Sequence, residues 1–142
     1  MIMSTRLYRI FLVEDSSILR DRLADMLAVR GDVEIVGHAD SEDAAVTALR
    51  SLQWDILIID LQLLHGTGLG VLGALSERRN PDTTVIVLTN YSIPSYRTHS
   101  MQLGADYFFD KTREFGRIID VLDDISRRRA PASHEGNGAS PS

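Results

Sequence analysis

Residues 55–63 read Asp-Ile-Leu-Ile-Ile-Asp-Leu-Gln-Leu, and this stretch decides the fold. Ile56–Ile59 is apolar at every position, where a strand with one wet face would alternate. A strand apolar on both faces belongs in the middle of a parallel sheet covered by helices on both sides. The run stops at a carboxylate, Asp60. In open α/β sheets, ligands bind outside the carboxyl ends of the strands, so Asp60 stands where such a fold does its chemistry.

Outward from this strand, short apolar runs alternate with segments of helical period. Upstream, residues 10–13 are an apolar run, with Tyr8 and Arg9 ahead of it in the same strand. Ser16 and Ser17 then offer N-caps to a helix whose Leu19, Leu23, Met26 and Leu27 share one face, and Gly31 stops it. A second strand covers Val33–Ala39. Asp40 or Ser41 caps the helix after it, with Ala45, Ala48, Leu49 and Leu52 on its apolar side. Downstream, the loop His65, Gly66, Thr67, Gly68 leads to a helix carrying Leu69, Leu72 and Leu75, and Asn80-Pro81-Asp82 is a turn. Residues 85–88 form a fourth strand, again apolar on both faces. Pro94 suits the first turn of a fourth helix, ending near Gly104. Residues 107–109 form a fifth strand. Thr112 is the candidate cap of a last helix with Phe115, Ile118, Ile119, Leu122 and Ile125 as its stripe.

Five strand–helix units define an α/β protein with a parallel sheet, wound by right-handed crossovers. Five strands favour the flavodoxin-like order 2-1-3-4-5. The expected architecture is a (βα)5 three-layer sandwich over residues 7–129. An N-terminal arm (1–6) precedes it. A tail (130–142) rich in Pro, Gly and Ser follows and is expected to be disordered. The 142 residues suit one domain, and 44% apolar content supports a core. A net charge of -5 argues against nucleic-acid binding by bulk electrostatics. No cysteine is present, which excludes disulfides and thiolate chemistry. Residues 1–6 lack the apolar core of a signal peptide, and Ile56–Ile59 is too short to span a membrane. A soluble, cytoplasmic protein with no membrane partner is expected.

The residues that end the strands form a pattern. Glu14 and Asp15 follow strand 1, Asp60 follows strand 3, Thr89 ends strand 4 and Lys111 follows strand 5. Strands 1, 3 and 4 are neighbours in the expected order, so three carboxylates, a hydroxyl and an ammonium converge on one edge. Clustered carboxylates repel unless a cation joins them. Hard oxygen ligands suit Mg²⁺, which is commonly held by one or two carboxylates plus phosphate oxygens. The pattern reads as a phosphoryl-handling Mg²⁺ site, and a carboxylate can itself be the nucleophile.

The segments Leu-Val-Glu-Asp-Ser (12–16), Leu-Ile-Ile-Asp-Leu-Gln-Leu (57–63), Val-Ile-Val-Leu-Thr-Asn (85–90) and Phe-Phe-Asp-Lys-Thr (108–112) resemble, in order and spacing, the four signature strand ends of two-component response-regulator receivers. The similarity runs from about residue 7 to 127 and looks most like a stand-alone, chemotaxis-regulator-like receiver. The resemblance implies that Asp60 is the phosphoacceptor and that Asp15 and Asp60 ligate Mg²⁺. It implies that Glu14 acts through a metal-bound water and that the Gln62 backbone carbonyl completes the protein ligands. Thr89 would bind the phosphoryl group, Lys111 would pair with it, and Phe108 falls at the family's aromatic switch position. The chain departs from the family pattern at Leu64 and Thr112, where proline is usual, and at Asn90, where a small residue is usual. A cis bond before Thr112 would cost about 2.5–4 kcal/mol, so a trans Lys111–Thr112 bond is expected.

As a function, the resemblance implies a switch that takes its phosphoryl group from a sensor histidine kinase or phosphotransfer protein and relays the signal by protein contact. The face of helix 4, strand 5 and helix 5, with Arg113, Arg117, Asp120 and Asp124 along its edge, is the expected output surface or homodimer contact. No DNA partner is expected, on net charge and on the few residues after Arg129. An enzyme on a similar fold is the alternative. A Mg²⁺-dependent aspartyl-phosphate phosphatase would want a second Asp two residues after the nucleophile, where Gln62 stands and cannot serve as general acid. A flavin carrier would want a phosphate loop after strand 1, where Glu14 and Asp15 would repel the phosphate. Gly66, Gly68 and Gly70 imitate a dinucleotide fingerprint, but its third glycine would fall on Val71. They read as turn and helix-start glycines.

Overall fold

The structure is a computed structural model and describes residues 7–128. The 1–6 arm, Arg129 and the 130–142 tail lie outside the described residues. In chain order the elements are β1 (Tyr8–Val13), α1 (Ser17–Ala28), β2 (Val33–Ala39), α2 (Glu42–Ser51), β3 (Ile56–Ile59), α3 (Gly68–Leu75), β4 (Thr84–Thr89), α4 (Pro94–Gln102), β5 (Tyr107–Asp110) and α5 (Arg117–Arg128). All strand pairs are parallel, in the order β2-β1-β3-β4-β5. This is the flavodoxin-like order expected from the sequence.

The alternation along the central strands builds two cores. Phe11, Val13, Leu57, Ile59, Val85 and Val87 point to one face, where Ala45 and Leu49 of α2 and Val71, Leu72 and Leu75 of α3 cover them. Ile10, Leu12, Ile56, Ile58, Ile86 and Leu88 point to the other, under Leu23 and Leu27 of α1 and Ile118, Val121, Leu122 and Ile125 of α5. Adjacent residues thus serve opposite cores, because successive side chains of a strand alternate faces. The two-sided apolarity of Ile56–Ile59 is the direct consequence.

Helix starts follow local chemistry. The Ser16 hydroxyl accepts from the Leu19 N–H, Ser41 from Ala44 and Thr67 from Gly70, each satisfying a first-turn donor that has no partner within its helix. Pro94 occupies the first turn of α4. The last helix differs from the sequence reading. It begins at Arg117, and Thr112 does not cap it. Asp110 organises the turn ahead of the helix: its Oδ1 accepts the N–H of Thr112 (2.8 Å) and of Arg113 (2.9 Å). That arrangement turns the chain, and Phe115 packs on the core from the turn ahead of the helix. Leu52, expected inside, is 42% exposed because the chain is already extended at this C-cap position of α2. Among the described residues no peptide bond is cis, so the Lys111–Thr112 bond is trans as expected. No helix among them is long and apolar enough to cross a membrane.

Candidate functional site

The sheet register brings the strand-end residues together. Val13 pairs with Ile59 across β1 and β3, so Glu14 and Asp60 emerge side by side. The ladder runs one residue further on each strand: Glu14 N donates to Ala39 O and Asp60 N to Val13 O, both at 2.9 Å. On the other side Thr89 pairs with Asp110 across β4 and β5, and Lys111 N donates to Thr89 O at 3.0 Å.

Lys111 reaches across this edge. Its Nζ donates to Asp60 Oδ2 at 2.7 Å and lies 2.9 Å from Glu14 Oε1. Carboxylate oxygens of Glu14, Asp15 and Asp60 all lie within 4.8 Å of one another. Glu14 and Asp60 are buried, whereas Asp15 is exposed. Asp60 Oδ1 also accepts the Gln62 N–H at 3.3 Å, and Glu14 Oε2 accepts the Ser16 N–H at 3.0 Å.

The electrostatics follow from burial and crowding. Burial pushes the Glu14 carboxyl up. The Lys111 and Ser16 bonds and the Lys111 charge pull it back without cancelling the rise, and the Asp60 charge adds to it. Burial pulls the Lys111 ammonium down, but its bonds to Asp60 and Glu14, with their charges, outweigh this and hold it above its ordinary value. Fully ionised, three carboxylates and one ammonium leave two net negative charges. The donors are all oxygens. A compact divalent cation such as Mg²⁺ fits that set, whereas soft ligands are missing from it.

Thr89 is fully buried at the end of β4, where its hydroxyl accepts the Tyr91 N–H at 3.1 Å. Phe108, 3% exposed, points into the core shared with α2 and α3. Its carbonyl accepts from Arg97 of α4 at 3.2 Å, and the Arg97 guanidinium lies 5.7 Å from its ring centroid. His65 is exposed. Gly68 has a structural reason: a Cβ there would fall 2.1 Å from the Asp60 carbonyl oxygen, so the first turn of α3 can press on the Asp60 backbone only with glycine.

Three participants escaped the sequence reading. Arg20 donates to the Glu14 carbonyl at 2.6 Å. The Ser92 hydroxyl donates to Asp110 Oδ2 at 2.6 Å. Glu42 accepts the N–H of Thr67 at 3.0 Å. Only Arg20, in the first turn of α1 and six residues after Glu14, carried a local signal.

A doubly wound parallel sheet with an acidic cluster and a lysine at its carboxyl edge has the donors to hold a divalent cation beside an anionic group. The chain belongs to the response regulator receiver domain family, whose profile matches residues 10–123. Among curated proteins it is 30% identical over 113 residues to the transcriptional regulatory protein DesR of Bacillus subtilis, covering 80% of this chain and 55% of that one. It is 25% identical over 122 residues to the DNA-binding transcriptional activator DevR/DosR of Mycobacterium tuberculosis, covering 86% and 56%. Its fold matches the response regulator domain of Thermotoga maritima CheB with a TM-score of 0.74 at 22% identity, covering 86% of this chain and 96% of that one. It also matches the receiver domain of the putative response regulator NarL of Mycobacterium tuberculosis with a TM-score of 0.76, at 22% identity and coverages of 87% and 99%.

The chain thus spans about half the length of the curated relatives it matches. These relatives overturn one expectation. DNA was excluded as a partner on bulk charge and on the short stretch after Arg129. Receivers of this family occur in DNA-binding transcriptional regulators, so the exclusion fails, and with it the inference that output passes through protein contact alone. The physical reason is that net charge is a bulk quantity, whereas contact with DNA depends on a local basic surface.

Proposed function

We propose that Asp60 is the phosphoacceptor of a two-component switch. The observation that carries this is the state of its carboxylate: buried at the end of β3, with Oδ2 on Lys111 and Oδ1 on the Gln62 N–H. An oxygen of Asp60 forms a bond to phosphorus while the P–N bond of a phosphohistidine donor breaks. The bonding pair returns to the imidazole nitrogen, which takes up a proton. The donor is a sensor histidine kinase or a phosphotransfer protein, and a chain served by such donors works in the cytoplasm. Residues 7–129 form the receiver unit.

Asp15 and Asp60, the Gln62 carbonyl, and Glu14 through a water would hold Mg²⁺. When bound, the ion supplies charge neutralisation for an incoming phosphodianion. Lys111 trades its Asp60 contact for the phosphoryl oxygens, and the Thr89 hydroxyl turns from the Tyr91 N–H toward them. Phosphorylation adds roughly -1.5 to -2 charges at neutral pH, and residues 89–95 with Phe108 form the element this charge biases. The product is a modified chain rather than a released one, so the protein acts as a switch and not as a turnover enzyme. Gln62, an amide two residues after Asp60, supports that over a phosphatase. The names of the relatives favour control of transcription as the downstream process.

Incubation with Mg²⁺ and acetyl phosphate is expected to add one phosphoryl group per chain by intact mass, and none to Asp60→Asn. Uptake by the Asn variant would refute the assignment. Undiminished uptake in excess chelator would remove the metal from the scheme.

A further inference from the structure

The loop between β3 and α3, residues 60–67, joins the proposed phosphoacceptor to α3, and the start of α2 grips it. Leu64 N donates to Asp40 O (3.1 Å) and Glu42 N to His65 O (2.9 Å). Ser41 bridges to His65, and within the loop Gln62 bridges to Thr67. The Glu42 side chain completes the grip, its Oε1 accepting the Thr67 N–H at 3.0 Å.

The neighbouring glycines are shaped to this carboxylate. A Cβ on Gly66 (φ +82°) would fall 2.4 Å from Glu42 Cβ, and one on Gly70 would fall 2.4 Å from both Glu42 carboxylate oxygens. The carboxylate therefore lies against the first turn of α3, which has no acidic residue of its own there. Glu42 also sits in the first turn of α2. One negative charge thus faces the positive ends of two helices.

We propose that Glu42 is a positioning residue for the metal and phosphoryl site. It holds Thr67, Thr67 pairs with Gln62, and Gln62 presents both the N–H on Asp60 Oδ1 and the carbonyl proposed as a metal ligand. The pairing of Gly66 and Gly70 with Glu42 explains two of the glycines that imitate a nucleotide motif. This inference rests on the phosphoacceptor reading of Asp60.

The test measures Mg²⁺ affinity by calorimetry, acetyl-phosphate uptake across Mg²⁺ concentrations, and Tm. Glu42→Ala is expected to weaken Mg²⁺ binding about tenfold, the lower end for a residue that orients ligands without touching the ion. Uptake at saturating Mg²⁺ stays near wild type. Glu42→Gln keeps the acceptor for Thr67 and recovers most of the affinity, which also serves if the Ala variant folds poorly. Gly70→Ala raises Tm on helix propensity alone; beside Glu42 it is expected to lower both Tm and Mg²⁺ affinity. In the Glu42→Ala/Gly70→Ala double variant the Tm loss from Gly70→Ala disappears. Unchanged Mg²⁺ affinity in Glu42→Ala, with wild type phosphorylated normally, overturns the role of Glu42 alone. A Gly70→Ala penalty that persists undiminished in the double variant overturns the contact that carries it. A wild type that neither binds Mg²⁺ nor takes up phosphate overturns the site reading itself.

Discussion

Helices α4 and α5 serve the same strand, β5, from opposite faces, and different forces hold them. α5 buries Ile118, Val121, Leu122 and Ile125, and each such side chain stabilises by about 1.5–3 kcal/mol relative to exposure. α4 buries only Ser100, whose hydroxyl has no hydrogen-bond partner among the described residues. Residues 90–99 are exposed without interruption. Two of the bonds that tie this region to β5 are polar: Arg97 to the Phe108 carbonyl, and Ser92 to Asp110. Both lie at an exposed surface, where water competes for each donor and acceptor and screens the charges of Arg97 and Asp110. α5 is therefore fixed by buried area, and α4 by a few polar bonds together with Leu103 at its C-cap. The α4 flank is the easier of the two to open, because elements with few buried apolar contacts open at low free energy.

The largest expected effect tests the fixed side. Leu122→Ala in α5 is expected to cost about 2–5 kcal/mol in urea unfolding, a transfer loss plus a cavity. Met101→Ala, on the exposed surface of α4, is expected to stay within about 0.5 kcal/mol. Comparable losses from the two substitutions would break the contrast.

The next effect is local. Arg97→Ala removes both the Phe108 carbonyl bond and the contact with its ring. Amide exchange in α4 is expected to quicken about fivefold, equivalent to roughly 1 kcal/mol, while α5 amides keep their rates. Matched acceleration in both helices would mean that they open as one unit.

The smallest effect is a pH dependence of the Ser92 tether. The Ser92 hydroxyl, then the Arg113 and Thr112 N–H groups, hold the Asp110 carboxyl below its ordinary value. A depressed carboxylate stabilises above the unfolded value, near 3.9, and that contribution is lost as pH falls through the lower folded value. The tether is therefore intact at neutral pH and releases only in acid. Ser92→Ala is expected to move the Asp110 midpoint upward in a carbon-detected NMR titration. A midpoint that does not move would remove Ser92 from the tether.

The two helices also mark how much could be read in advance. The stripe of Ile118, Leu122 and Ile125 was legible because a buried helix face repeats every three to four residues. The α4 segment has no such stripe, and only Pro94 announced it. The start of α5 was misplaced by four residues because Thr112 is a good cap by type, yet its own N–H and that of Arg113 are held by Asp110 in a turn that precedes the helix. At the site, Glu14, Asp15, Asp60, Thr89 and Lys111 were all legible as strand ends. Glu42 and Ser92 were not, since their partners lie 25 and 18 residues away and no periodicity links them.

The amino-acid order alone determined the sheet. Strands apolar on both faces can be buried only between two helical layers, and once their order is set, the residues ending neighbouring strands must meet at one edge. Tertiary structure alone decided which carboxylate oxygen holds Lys111, which glycines make room for Glu42, and how lightly α4 is tied to β5. Those outcomes depend on single polar contacts between segments distant in sequence. Such contacts follow from where the packed elements come to rest, not from any pattern along the chain.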